Sequence, residues 1–177
     1  MSKNCILICV NHMIEINKIA GKGADMKKER VIFICSFNSV RSPIAEGVLQ
    51  QRGGGRYAVV SAGVAPIRVN PFAVRVMQEL KIDISDHKPA SLYQYRNENF
   101  DYAITLCDNA RSVAEEMLRD SDRFFHRNFV TPPEIGRARD ETLADFRKLR
   151  DEIALWLIEI FPEISPDQNF PSRKGIA

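Results

Sequence analysis

An apolar, β-branched run in this chain leads through a short polar loop straight into the start of a helix. The run is Val31–Ile34, the loop is Cys35–Ser42, and the helix opens at Pro43. This order is typical of a buried strand whose carboxyl end meets the amino end of a helix. The free N–H groups of such a helix start, together with the positive end of its dipole, attract anions. The chain is therefore predicted to carry an anion-binding loop after its first strand.

The same loop has a thiol at its first position and a guanidinium six residues later. Amide donors would stabilise a Cys35 thiolate there, and Arg41 offers a planar pair of donors to a tetrahedral anion. Ser42 comes next, and its hydroxyl can donate to the thiolate. No other cysteine has an arginine at that spacing. The loop thus predicts nucleophilic attack on a phosphate-like oxyanion, which would be bound by Ser36, Phe37, Asn38, Ser39, Val40 and Arg41.

Composition limits the classes of protein that need to be considered. The 177 residues suffice for one domain with a real core, and the chain is 45% hydrophobic and 27% charged. With a net charge of +2 and no basic run with interleaved aromatic residues, no nucleic-acid partner is expected. No apolar run approaches the ~20 residues of a membrane span. The four cysteines lack metal-ligand or disulfide spacing, and a reactive thiol suits a reducing cytoplasm.

The amino terminus is predicted to lie outside the domain. Its apolar run, Cys5–Val10, is short and lacks the cleavage pattern of a secretory signal. A glycine-rich link, Gly21–Asp25, follows, and Met26 looks like a natural chain start just before the first strand. We therefore expect an extension or a misassigned start at residues 1–25, an α/β domain at residues 26–162, and a polar tail at residues 163–177.

From residue 30 onward, strand-like and helix-like segments alternate. Strands are predicted at Val31–Ile34, Tyr57–Ser61, Asp101–Cys107 and Phe124–Val130. Helices are predicted at Pro43–Arg52, Pro71–Leu80, Ala110–Arg119 and Glu141–Phe161. Right-handed crossovers would place helices on both faces of one parallel sheet and would bring the loops that follow the strands to one edge. The predicted fold is a single α/β domain with a four-stranded parallel sheet.

Several ordered segments resemble one superfamily, the low-molecular-weight protein tyrosine phosphatases and the arsenate reductases that share their fold. They are Cys35–Glu46, Ser61–Gly63, Pro71–Val74, Ile82–Lys88, Phe100–Tyr102 and Thr105–Ala110. The resemblance covers nearly all of residues 30–161. It implies that Cys35 is the nucleophile, Arg41 binds the oxyanion and Ser42 assists the thiolate. It also implies that Asn38 holds the loop in a strained shape.

Two departures from the family pattern bear on the reaction. In thioredoxin-coupled arsenate reductases a second cysteine displaces arsenite and a third carries the disulfide to the surface. Cys107 matches the second, whereas Ala114 stands at the third position. Either an external small thiol or a glutaredoxin-like protein resolves the intermediate, or arsenate is not the substrate. Cys107 could equally be a small apolar side chain that ends a buried strand. Both branches also usually place an aspartate before a proline to protonate the leaving oxygen, and here that residue is Thr131. Glu134 could supply the proton instead, or it could be a solvated carboxylate.

Five further side chains have less specific signals. Phe37, Tyr93 and Tyr95 could form an aromatic mouth that grips phosphotyrosine, or they could pack in the core. His87 matches a family histidine at the edge of the site, where a structural hydrogen bond is expected. His126 has no partner pattern and is also expected to be structural.

The favoured function is a cysteine-dependent phosphatase of the low-molecular-weight tyrosine phosphatase type, which hydrolyses phosphomonoesters through a phosphocysteine. Its substrate would be a phosphorylated protein or a small aryl phosphate. One alternative is an arsenate reductase that uses Cys35 with Cys107 as resolving thiol and thioredoxin or a glutaredoxin as reductant. Another is a phosphate- or phosphoprotein-binding module without turnover. Thiolate chemistry requires neither a metal nor a cofactor, and neither is predicted.

Overall fold

The computed structural model describes residues 27–164, in which four parallel strands form one sheet in the order β2-β1-β3-β4. The strands are β1 (Glu29–Cys35), β2 (Tyr57–Gly63), β3 (Tyr102–Thr105) and β4 (Arg123–His126). The helices are α1 (Arg41–Arg52), α2 (Pro71–Gln78), α3 (Asp108–Met117) and α4 (Arg139–Ile160), with a 3-10 helix at Leu92–Tyr95. The predicted α/β fold with a four-stranded parallel sheet is confirmed. The predicted extension, with Cys5 and Cys9, and the tail beyond residue 164 lie outside the described residues.

The central strand explains why helices cover both faces of the sheet. β1 pairs with β2 on one side and β3 on the other, and the side chains of Val31, Ile32, Phe33 and Ile34 have no exposed surface. Successive side chains of a strand point to opposite faces, so each face of β1 must be covered. α1 packs on β1 and β2, while α3 packs on β1 and β3.

The long carboxyl-terminal helix has the apolar stripe that its periodicity predicts. Its core-facing positions, all buried, are Leu143, Phe146, Leu149, Ile153 and Leu157. Trp156 is buried as well, and its ring centroid lies 5.6 Å from that of Phe129. Arg150 is a buried charged residue within this helix. Its Nη1 donates to the backbone carbonyl of Val76 at 2.8 Å and so ties α4 to α2.

Several boundaries, and one short element, differ from the sequence prediction. β3 ends at Thr105 and β4 at His126, both earlier than predicted, because the chain leaves the sheet at its carboxyl edge to start α3 and the following loop. The 3-10 helix is absent from the prediction, since its four residues are too few to show a helical period. Ile164 is buried against the core, two residues past the predicted end of the domain.

The parallel order brings the loops after β1, β2, β3 and β4 to the same edge of the sheet, as expected. Within residues 27–164, no helix combines the length and the apolar character that a bilayer crossing needs.

Candidate active site

Cys35 lies at the carboxyl end of β1, almost fully buried beneath the loop that leads into α1. The backbone N–H of Asn38 donates to Cys35 Sγ across 3.2 Å, and Ser42 Oγ lies 3.1 Å from the same sulfur. Ser42 Oγ accepts a hydrogen bond from Asn38 Nδ2 at 2.9 Å, and its own proton can point at the sulfur or at the more distant carbonyl of Ala62, 3.5 Å away. Two donors therefore converge on Cys35 Sγ, an arrangement suited to a negatively charged sulfur.

The carbonyl groups of this loop are turned outward by a neighbouring backbone segment, residues 64–70. Four of its amides donate to loop carbonyls at 2.9–3.3 Å: Val64 to Cys35, Ala65 to Ser36, Ile67 to Phe37 and Asn70 to Ser39. The carbonyl and amide of a trans peptide point in opposite directions, so outward carbonyls turn the loop amides toward its centre. This is the orientation that the predicted anion cradle requires.

Close backbone approach holds the loop against the end of β2. A Cβ added at Gly63 would lie 2.7 Å from the amide nitrogen of Asn38 and 2.9 Å from the carbonyl carbon of Phe37. Only glycine fits there without moving the loop backbone. Asn38 itself has a φ of 47°, in the left-handed region that asparagine tolerates better than most residues.

The Asn38 side chain fixes that conformation from behind the cradle. Its Nδ2 donates to Ser42 Oγ and to Ser61 Oγ at 2.7 Å, while its Oδ1 accepts from the backbone amide of Ala90 at 2.8 Å. His87 Nε2 lies 3.2 Å from the same oxygen. The side chain is fully buried with its polar atoms paired. The structure thus places Asn38 as the support of the loop, as the family resemblance implies.

His87 links this support to a carboxylate on α1. Its Nδ1 lies 3.3 Å from Glu46 Oε2, and the same oxygen accepts a hydrogen bond from Ser61 Oγ at 2.6 Å. Both ring nitrogens of His87 thus face oxygen atoms, one on Asn38 and one on Glu46. Its predicted structural hydrogen bond is present.

Arg41 begins α1 and reaches across the mouth of the loop. Its Nη1 donates to the backbone carbonyl of Phe129 at 2.9 Å, which anchors the guanidinium plane to the loop after β4. Its Nε is buried and has no hydrogen-bond partner in the described part of the chain. An unpaired buried donor is costly, and Arg41 lines the cavity, so we expect its guanidinium to reorient toward an oxyanion that binds there.

A cavity of about 440 Å³ opens above the cradle. Of the predicted site residues it is lined by Cys35, Ser36, Phe37, Ser39, Val40, Arg41, Cys107 and Glu134, while Asn38 and Ser42 lie behind this lining. Tyr93 and Tyr95 are absent from it, so the hypothesis that they form an aromatic mouth is wrong. Tyr95 packs on Phe100 with ring centroids 5.9 Å apart, and burial, together with the Glu46 and Glu98 carboxylates, raises its pKa.

Cys107 ends the turn after β3 and lies in the same cavity as Cys35. Its Sγ is 3.3 Å from Ser36 Oγ, on the residue next to the predicted nucleophile. Both thiols are buried and free. Ala114, at the position of the missing third cysteine, is buried within α3.

The loop after β4 contributes Thr131 and Glu134 to the cavity. Asn70 Nδ2 donates to Glu134 Oε1, while Asn70 Oδ1 caps α2 by accepting from the amide of Phe72 at 2.7 Å. Glu134 therefore lies close enough to face a ligand, and one of its oxygens already ties the loop to the start of α2.

Sequence reasoning missed Asp108, which lines the cavity as the first residue of α3. His126 Nε2 lies 3.0 Å from Asp108 Oδ1, and His126 Nδ1 lies 2.7 Å from Thr105 Oγ1. The position of Asp108 directly after a predicted parallel strand was a usable signal, because such positions meet at the ligand-binding edge of the sheet. Ile67, Asn109, Asn128 and Val130 also line the cavity without having been singled out. Among residues 27–164 there is no group of three or more side chains that could hold a metal ion.

Comparisons with known proteins agree with this geometry. An arsenate reductase of Halalkalibacterium halodurans is 36% identical over 128 residues, which are 72% of this chain and 91% of that protein. A glutaredoxin arsenate reductase of Synechocystis is 38% identical over 79 residues, which are 45% of this chain and 60% of that protein. A solved arsenate reductase in the reduced state superposes with a TM-score of 0.64 at 29% identity and covers 77% of this chain and 99% of its own.

The sequence profile described as low molecular weight phosphotyrosine protein phosphatase matches residues 30–165. The resemblance drawn from the sequence is thereby confirmed, and the curated relatives favour its arsenate reductase branch over its phosphatase branch. The chain belongs to the low molecular weight phosphotyrosine protein phosphatase family.

Proposed function

We propose that the chain is an arsenate reductase in which Cys35 is the nucleophile and Cys107 the resolving thiol. The observation that carries this proposal is the pair of free thiols in one cavity, with Cys107 Sγ held 3.3 Å from the hydroxyl of Ser36. A hydrolytic phosphatase needs only the first thiol. The names of the curated relatives support the same activity.

Arsenate would bind in the cradle with its oxygens on the loop amides and on the guanidinium of Arg41, which lines the cavity. The Cys35 thiolate attacks arsenic(V), a sulfur–arsenic bond forms, and one arsenate oxygen departs as water once it is protonated. Ser42 and the Asn38 amide stabilise the thiolate before attack, since both donate to its sulfur. The amides and Arg41 face the oxygens throughout, so the cradle has no need to reorganise during the reaction.

The Cys107 thiolate then attacks Cys35 Sγ. The electron pair of the sulfur–arsenic bond stays on arsenic, which leaves as arsenite, and the two sulfurs join in a disulfide. Arsenic gains two electrons, and the two thiols lose them. β1 and β3 are neighbouring strands, with Ile34 opposite Thr105, so the two cysteines follow adjacent strand ends.

Reduction of that disulfide requires an external electron donor. Because Ala114 stands where a third cysteine would carry the disulfide to the surface, the donor has to reach the Cys35–Cys107 disulfide itself. We propose a glutaredoxin with a small thiol, or thioredoxin, as the electron donor. One relative of this chain is named a glutaredoxin arsenate reductase. Two free thiols and an external thiol donor suit a reducing compartment, and we propose the cytoplasm.

The test uses full-length protein whose Cys5 and Cys9 are replaced by Ser, so that two thiols remain. One equivalent of arsenate without reductant should yield arsenite and a Cys35–Cys107 disulfide, seen as the loss of two hydrogens by intact mass. Both Cys35→Ser and Cys107→Ser should abolish disulfide formation. With reductant, NADPH oxidation should depend on arsenate and should report which redoxin serves.

A phosphomonoesterase activity on the same thiolate is the second candidate. The observation that favours it is the cavity of about 440 Å³, with exposed Phe37, Ile67 and Val130 around it, which is roomier than a bare oxyanion needs. Cys107→Ser distinguishes the two, because it should leave hydrolysis of nitrophenyl phosphate intact and stop arsenate reduction. If the wild type hydrolyses the ester and ignores arsenate, the phosphatase hypothesis replaces the reductase. If phosphate protects Cys35 from alkylation without any turnover, the chain is a binding module.

A further inference from the structure

The proposed reaction needs a proton for the oxygen that leaves when Cys35 attacks, and Thr131 has no acidic group to give one. Two carboxyl groups line the cavity, those of Asp108 and Glu134. They lie on different elements, Asp108 at the start of α3 and Glu134 in the loop after β4. The contacts of the two side chains differ, and that difference separates their roles.

The backbone places Asp108 next to the reacting thiol. Asp108 follows Cys107 directly, and Cys107 Sγ lies 3.3 Å from Ser36 Oγ, on the residue that follows Cys35. The amino end of α3 is therefore adjacent to the first residues of the anion loop. The Asp108 side chain is 67% exposed, so a proton that it gives up can be replaced from water.

One oxygen of Asp108, a residue that lines the cavity, is hydrogen-bonded, and the other has no partner among the described residues. His126 Nε2 lies 3.0 Å from Asp108 Oδ1, and no described group is hydrogen-bonded to Oδ2. The orientation of the ring is set from its other side, because His126 Nδ1 lies 2.7 Å from Thr105 Oγ1. If Thr105 donates to Nδ1, Nε2 carries the proton and donates to Asp108. His126 is thus a positioning residue for the carboxyl group.

Glu134 is engaged differently. Its Oε1 accepts from Asn70 Nδ2, and Asn70 is also the cap of α2 through Oδ1. This contact joins the loop after β4 to the body of the domain and holds Thr131 and Glu134 beside the cavity. We expect removal of the Glu134 charge to loosen the loop and weaken binding, with little effect on protonation of the leaving oxygen.

We propose that Asp108 is the general acid of this site, positioned by His126 in place of the aspartate that Thr131 lacks. This inference rests on the proposed attack by Cys35 and applies to arsenate and to phosphate esters. As the bond between the central atom and the departing oxygen breaks, its electron pair stays on that oxygen. The Asp108 proton moves to the same oxygen, which leaves as water from arsenate or as an alcohol from an ester. The Asp108 carboxylate then regains a proton from solvent.

The test measures kcat/KM for a series of phosphate monoesters from nitrophenyl to alkyl, together with arsenate. A general acid matters most when the leaving oxygen is basic, and it typically contributes 10²–10⁴-fold. Asp108→Asn should therefore slow alkyl phosphate and arsenate by about 10²-fold and nitrophenyl phosphate by less than about 5-fold. The dependence of rate on leaving-group acidity should steepen, a response that damage to the fold would not produce.

Three further variants complete the design. Glu134→Gln, the same charge loss in the same cavity, should raise KM for all substrates without steepening the leaving-group dependence. His126→Leu should steepen it in part, and His126→Gln, which keeps an N–H donor near Asp108, should restore it. Protection of Cys35 from iodoacetamide by inorganic phosphate checks that the Asp108→Asn cradle is intact.

The inference is overturned if Asp108→Asn slows all esters equally, or if Glu134→Gln alone steepens the dependence. A wild type that turns over neither arsenate nor any ester overturns both this inference and the proposed function. A wild type that hydrolyses esters but ignores arsenate overturns the reductase proposal alone, and the ester series then decides the role of Asp108.

Discussion

The side chain of Asn38 has two donor and two acceptor contacts while its backbone lies in the left-handed region at a φ of 47°. Asn38→Ala should therefore destabilise the domain by about 2–4 kcal/mol, because buried groups on Ser42, Ser61 and Ala90 lose their partner. Phosphate protection of Cys35 should weaken with it. Urea unfolding and alkylation rates measure the two effects.

Asn38→Gly separates the hydrogen bonds from the backbone conformation, since glycine adopts a positive φ without strain. If the side-chain bonds dominate, the glycine variant should recover no more than about 1 kcal/mol relative to alanine. Full recovery of stability and phosphate protection by glycine would show that the φ value, rather than the network, is what Asn38 provides.

Residues within one contiguous loop were accessible to sequence reasoning, and residues from separate segments were less so. Cys35, Arg41 and Ser42 lie in one strand-loop-helix unit, whose geometry follows from the order of its parts. Asp108 lies at the start of α3, in the segment that follows another strand, β3. Its hydrogen bond with His126 joins residues 18 apart in sequence. No local pattern encodes that contact, because it depends on the register between β3 and β4.

Among the secondary-structure elements, α2 and α4 are joined by a charged cluster as well as by apolar packing. Glu79 accepts from Arg147 at 2.8–3.1 Å and from Arg150 at 3.2 Å. The Arg147 hydrogen bond, followed by smaller contributions that include Arg150, holds the pKa of Glu79 below its ordinary value of 4.5. This lowered pKa is a stabilising contribution that is complete above pH 4.5 and is lost as pH falls through the lower folded value.

Glu79→Gln should therefore cost about 1–2 kcal/mol of unfolding free energy at pH 7, and the difference from wild type should shrink as pH falls below 4.5. Urea titrations at both pH values measure it. Glu115→Gln is the control, since Glu115 forms an exposed pair with Arg111 within one helix and should matter by less than about 0.5 kcal/mol. An equal loss in both variants, or one that persists at low pH, would contradict the assignment.

The elements with strong periodicity were predictable, and those set by tertiary contacts were not. The apolar stripe of α4 repeats over many turns, so the helix could be identified from sequence. The end of β3 was placed too late, because burial continues through Leu106 and Cys107 after the strand has ended. The end of β4 was also placed too late, because the isolated buried Phe129 follows two exposed residues, Arg127 and Asn128, that no longer belong to the strand.

For the whole molecule, binding of an oxyanion should raise the unfolding temperature. A ligand that binds only the folded state at 100 times its Kd adds about 2.7 kcal/mol. Inorganic phosphate should therefore raise the Tm of the wild type. Arg41→Lys should reduce this shift, because a lysine cannot reproduce the planar pair of donors.

Arg111→Lys is the matched control, since Arg111 lies on the exposed face of α3 and pairs with Glu115. Its phosphate shift should equal that of the wild type in differential scanning calorimetry. A phosphate shift that survives intact in Arg41→Lys would mean that the loop amides alone hold the anion.

For the whole molecule, the sequence determines the fold more completely than it determines the function. Alternating strands and helices restrict the chain to a parallel α/β sheet, and the structure has one. The reaction depends on a few side chains around a shared cradle, so the sequence favoured a phosphatase while the curated relatives favour arsenate reduction. Cys107 is the residue on which the choice between the two activities depends. It is buried, and burial alone fits both a packed thiol and a reactive one.

The carbonyls of the anion loop are fixed outward by residues 64–70, and this affects which anion occupies the site in a cell. A cradle built from fixed amides recognises charge and tetrahedral shape, and phosphate and arsenate share both. Phosphate, the abundant nutrient, should therefore occupy the site most of the time and compete with arsenate, the toxin. Discrimination would then come after binding, because only the arsenic adduct can be resolved by a second thiol with a change of oxidation state. The selectivity of such a protein would come from the redox step rather than from binding affinity. Its rate of arsenite formation would follow the ratio of arsenate to phosphate.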